Sequence, residues 1–148
     1  MSEKTVRLAR IAFIKEENNK PFILLDPPSG RRTKSEIPGC IAEEQNDPPA
    51  IDVRLACLEK FGVILYEMER LVDCEDSKDI GSLVDFWVIT KWNGDIRPPE
   101  LVWTEINHSL LSRHMLSPQH VAVLEKLIPW AVNKFPAFYY LAENEGLL

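Results

Sequence analysis

Apolar residues recur along this chain in two periods, and the switches between them divide it into elements. Val6–Ile14, VRLARIAFI, favours a strand and leads through the polar KEENNKP to Phe22–Asp26, FILLD. Two such runs joined by an Asn-rich turn predict a β-hairpin. Pro27–Ser35, PPSGRRTKS, is loop by composition and carries Arg31, Arg32 and Lys34. From Pro49 to Phe61 the period becomes helical, with proline in the first turn, where its missing N–H costs nothing. Gly62 follows where a left-handed C-terminal cap belongs. Val53, Leu55, Cys57, Leu58 and Phe61 cover a wide helical face. The expectation is that Leu55, Leu58 and Phe61 are buried, while Asp52, Glu59 and Lys60 face solvent or a cleft.

Beyond Gly62, VILYEMERLV and SLVDFWVITKW read as strands with CEDSKDIG between them. Asn93–Asp95 is a turn signal ahead of PPELVWTEI. Ser117 is placed to cap a helix whose first position is Pro118, and Val121, Leu124, Leu127 and Ile128 continue it. Pro129 should kink or end that helix, and Pro136 should end its continuation. Trp87, Trp92 and Trp103 suit core packing in strands, with base stacking as the other use of such rings. The aromatic tail FPAFYYLAENEGLL suits a cover for the core or a homodimer partner. The order β-β-β-α-β-β-β-α, without repeat or linker, predicts one α/β (α+β) domain over residues 1–148 with a mixed sheet covered by helices.

Composition narrows the function classes. With 148 residues, 45% hydrophobic and 27% charged, the chain can bury a core and is not broadly disordered. A net charge of −6 and a pI near 5.1 argue against nucleic-acid binding as the main task. They leave room for a local basic pocket that holds a small phosphorylated ligand. Apolar runs such as FGVIL are too short to span a bilayer, and no N-terminal run reads as a signal peptide, so a cytoplasmic location is expected. Cys40, Cys57 and Cys74 make an odd count with no Cys-x-x-Cys pair, against a disulfide framework or zinc site. Cys57 falls among apolar residues and reads as a small hydrophobe. His108, His114 and His120 stand six apart, which is not one helical face.

Candidate chemistry gathers between Ile37 and Leu65. Pro38-Gly39 resembles the strand end that opens the box of the Nudix (MutT-like) hydrolases, Gly-x5-Glu-x7-Arg-Glu-U-x-Glu-Glu-x-Gly-U with U apolar. Pro49 is similar to the proline common at the start of that helix, Glu59 to the first of its Glu-Glu pair, and Cys57, Gly62 and Val63 to its apolar–Gly–apolar tail. DFWVITKWNGDIRPPELVWTEI is similar to the family's strand, Gly turn and Trp strand, so the resemblance spans most of the chain. It implies a Nudix-like α/β/α sandwich with a mixed sheet. It also implies hydrolysis of a nucleoside diphosphate linked to another group, with Mg2+ or Mn2+.

On that resemblance Gly39, Asp47 and Glu59 are the expected metal ligands and Glu59 and Glu100 the expected catalytic carboxylates; Glu43 and Glu44 read as an acidic loop, with metal reach as the alternative. The box is degenerate. Leu55 and Ala56 replace Arg-Glu, Lys60 replaces the second Glu, and Asp47 matches the early Glu only with one extra loop residue. A hard divalent ion needs several oxygen ligands. Asp52 and Glu59, seven residues apart, stand about 10 Å apart along a helix axis and cannot share one ion directly. Lys60, as a point charge, and the loop residues Arg31 and Arg32 are instead the expected contacts to phosphate oxygens. Two readings follow: a slow, divergent hydrolase, or an inactive fold that senses a ligand or binds a protein.

Overall fold

Asn18 and Asn19 both adopt left-handed backbone conformations, with φ of 53° and 61°. Such a pair is what a tight two-residue hairpin turn requires, and it joins strand β1 (Val6–Glu17) to β2 (Lys20–Leu25), with Glu17 opposite Lys20. The computed structural model describes residues 6–43, 50–71, 83–111, 115–116 and 118–144. After the hairpin come β3 (Gly39–Glu43), α1 (Ala50–Phe61), β4 (Ile64–Leu71), β5 (Leu83–Asn93) and β6 (Val102–Glu105). The helices α2 (His108–Leu111), α3 (Pro118–Ala131) and α4 (Pro136–Asn144) complete the order. The chain is of the α/β class, with a mixed sheet and four helices among the described residues.

The chain divides into two compact units, Met1–Ala12 with Pro38–Pro99, and Phe13–Ile37 with Glu100–Leu148. In the first unit the hydrogen-bonded order is β4-β5-β1, and β3 pairs antiparallel with β1, Gly39 opposite Arg10. Asp85 to Ile89 of β5 are buried without a break, as a central strand covered on both faces requires. Buried Asp85 pairs across the β4–β5 ladder with Arg70 at 2.9 Å. Helix α1 packs against β3 and β4. Its buried stripe is Val53, Cys57 and Phe61.

Two expectations for α1 are corrected here. Leu55 and Leu58 are 58% and 47% exposed, and Asp52 is only 7% exposed. At about 100° per residue, Ile51, Leu55 and Leu58 lie some 140–200° round from Val53, so α1 carries two apolar stripes on opposite sides. The narrower one faces inward. Asp52 belongs to the first turn, where a carboxylate is favoured by the helix dipole. Phe61 is buried and Glu59 and Lys60 are exposed, as periodicity predicts.

In the second unit β2 pairs with β6, Leu24 opposite Trp103. Val121, Leu124, Leu127, Ile128 and Phe138 form much of its core. Pro118 opens α3 as expected, and Pro129 falls in its last turns without ending it. Pro136 does not end a helix but starts one: α4 begins there, and the Glu16 carboxylate accepts from the Ala137 N–H at 3.2 Å. A proline at the first position and an acceptor for an orphan N–H suit a helix start. The loop before β3 is held by Arg32, which pairs with Glu36 at 2.9 Å and Asp26 at 3.3 Å and donates to the Pro27 carbonyl at 2.5 Å. His120 of α3 is buried, and its Nδ1 accepts from the Ile37 N–H at 2.9 Å. Ser117, Asp47 and CEDSKDI (74–80) lie outside the described residues.

Candidate functional site

Within the first unit, chemistry centres on the first residue of β3 and the last turn of α1. Gly39 lies flat against β1: a Cβ there would meet the Ala9 carbonyl oxygen at 3.2 Å and the Arg10 and Leu8 side chains at 3.3 Å. Close approach of two backbones is the reason for glycine at this point. Lys60 projects about 20° round from the buried stripe of α1, which brings its ammonium to β3. The ammonium donates to the Gly39 carbonyl. Gly62 then ends the helix with φ 72°, its N–H returning to the Leu58 carbonyl at 3.1 Å. The Arg97 N–H caps the Phe61 carbonyl at 2.9 Å.

The Gly39 carbonyl is the oxygen that the Nudix resemblance assigns to a metal, and here a lysine ammonium holds it. Glu59 is exposed and Ala56 contributes no ligand one turn before Lys60. Asp52 is buried at the other end of the helix. Among the described residues no three His, Cys, Asp or Glu side chains come together as a metal site. Of the box carboxylates only Glu59 stands among the described residues, so a bound Mg2+ or Mn2+ would need water and phosphate oxygens for most of its ligands.

Arg31, Arg32 and Glu100 belong to the second unit. Arg31 is exposed, Glu100 is exposed just ahead of β6, and Arg32 directs its guanidinium into its own loop. Trp87 is buried as expected, whereas Trp103 carries the Lys15 ammonium 4.4 Å from its ring centre. That ring face holds a cation.

Two features escaped the sequence reading. Arg10 stands opposite Gly39 with its side-chain stem against the glycine. Its signal was a charge inside an apolar β-run, one of two there with Arg7. Cys40 of β3 and Cys57 of α1 are both buried, with their sulfurs 3.9 Å apart. The hydrogen bond between them holds the Cys40 thiol below its usual range, against burial and with help from Lys60. The same bond, together with burial, pushes Cys57 up. Seventeen residues and two element types separate them, so no spacing rule could join them.

No protein-family model matches the sequence, and no curated protein matches it. Solved structures do match. A MutT protein of Aliivibrio salmonicida or Vibrio cholerae superposes with a TM-score of 0.59 at 14% identity, over 87% of this chain and 99% of that one. A C. elegans Ap4A hydrolase matches with 0.60 at 13%, over 87% and 99%. The C-terminal domain of mouse MUTYH, in complex with human PCNA, matches with 0.56 at 14%, over 82% and 86%. Identity at this level speaks for the fold. The chain has the Nudix (MutT-like) fold.

Proposed function

We propose that this Nudix-fold chain binds a nucleoside-diphosphate-type ligand without a divalent ion, Lys60 supplying the positive charge. The observation that carries this reading is the Lys60 ammonium on the Gly39 carbonyl. An ammonium has three donors. One is held by the carbonyl, which aims the group, and two remain for phosphate oxygens. Arg10, beside Gly39, adds positive charge on the same strand pair. The C. elegans neighbour is an Ap4A hydrolase, and carrying a nucleotide-type ligand over to this chain is part of the proposal. A cytoplasmic setting would supply such ligands.

Calorimetry with a nucleoside diphosphate tests it, with and without EDTA and at two salt concentrations. Binding should survive chelation and weaken as salt rises, because part of it is screened Coulomb attraction. Lys60→Glu should abolish it. Loss of binding on chelation would overturn the reading.

Exposed Glu59, one residue from the clasp, favours a second reading: slow hydrolysis of a diphosphate linked to another group, with Mg2+ or Mn2+, Glu100 and Arg31 assisting. Ala56→Glu with Lys60→Glu should then raise metal affinity and rate together. Slow Mn2+-dependent turnover that is lost on Glu59→Gln would favour this reading over the first, and a wild-type turnover on the order of 10 s⁻¹ or more would mean that other ligands have replaced the lost ones.

A further inference from the structure

We propose that Cys40 and Cys57 are a redox-convertible pair, whose disulfide ties α1 to β3 beside the Lys60–Gly39 clasp. The two side chains come from different elements of the same unit, and their sulfurs already face each other at 3.9 Å. Closing to a bond length near 2.05 Å asks for a movement of about 2 Å. Cys40 is 3% exposed and Cys57 is fully buried, so Cys40 is the sulfur that an oxidant meets first. Cys40 adjoins Gly39, and Cys57 precedes Lys60 by three residues. Drawing the sulfurs together therefore moves the two ends of the clasp. This inference concerns covalent chemistry and does not rest on the ligand proposed above.

The oxidant is hydrogen peroxide. The Cys40 sulfur attacks one peroxide oxygen, the O–O bond breaks, and one water leaves as Cys40 becomes a sulfenic acid. The Cys57 sulfur then attacks the Cys40 sulfur, the S–O bond breaks, and a second water leaves. Two electrons pass from the thiols to the peroxide, and a thiol reductant reverses the change.

The test uses the folded full chain, as wild type and with Cys74→Ser to remove the third cysteine. Each is treated with hydrogen peroxide in native buffer, alkylated after denaturation, digested and mapped by mass spectrometry. The expected product is a Cys40–Cys57 cross-linked peptide in both proteins, with an intact mass lower by about 2 Da and restored by reductant. Closing this loop should raise Tm by something on the order of 5 °C. Acylation of Lys60 by an amine reagent should change rate at least about two-fold on oxidation, because its contact with Gly39 shifts. Recovery of both thiols alkylated would overturn the proposal. So would a bond to Cys74, or a sulfinic acid on Cys40 with Cys57 free. A disulfide that forms while Lys60 reacts at an unchanged rate would refute its link to the clasp.

Discussion

Helices α1 and α3 are of similar length, 12 and 14 residues, and both are rich in apolar side chains, yet they use them differently. In α3 Val121, Val123, Leu124, Leu127 and Ile128 face inward beside buried His120, while Glu125 and Lys126 face out. In α1 the inner stripe is made of Val53, Cys57 and Phe61, and the larger leucines lie outside. On the side of α1 that meets β3, Lys60 passes along the helix to reach the Gly39 carbonyl. The difference separates a helix that buries its large aliphatic residues from one that leaves its leucines outside and reaches a carbonyl with Lys60.

The largest expected effect comes from the core of α3. Leu124→Ala should cost about 2–5 kcal/mol, as a buried leucine truncation does, read by urea denaturation. If the loss is small, α3 is not the better-packed helix and the contrast fails. Enlarging the inner face of α1 comes next: Cys57→Leu should cost about 1–3 kcal/mol through overpacking. A neutral result would mean there was room for a leucine after all. Gly62→Ala should cost about 1–2 kcal/mol, since a side chain in the left-handed region is strained. The smallest effect belongs to the outer stripe. Leu55→Glu or Leu58→Glu should change stability by no more than about 0.5 kcal/mol, and a large loss would show that this face is covered in solution.

The hairpin, the limits of α1, the left-handed Gly62 and the Pro118 start of α3 could all be read from sequence, because each rests on local backbone chemistry. The Asn18-Asn19 turn needs positive φ, and few residues other than asparagine and glycine supply it. Which side of α1 faces inward could not be read. Both stripes are apolar, and periodicity finds a stripe without saying what lies opposite. Pro136 was misread for a related reason, since the same rigid φ that stops one helix suits the first turn of the next. The degenerate box could be read as a sequence, but the fate of its metal oxygen could not. That the Gly39 carbonyl is held by Lys60 depends on β3 and α1 meeting, which is tertiary.

The end of α1 carries one further consequence. An ideal Cβ at Gly62 would lie 2.6 Å from Nε and 2.7 Å from one terminal nitrogen of Arg97. The guanidinium thus fills the space that any other residue at 62 would claim, at the negative end of the helix dipole, where a cation is favoured. Positions 62 and 97 are therefore not free to drift apart. A side chain at 62 must displace the flexible arginine tip, and Arg97→Ala should relieve that crowding while leaving the backbone strain in place. Across related sequences the two positions should covary, glycine travelling with a long basic residue.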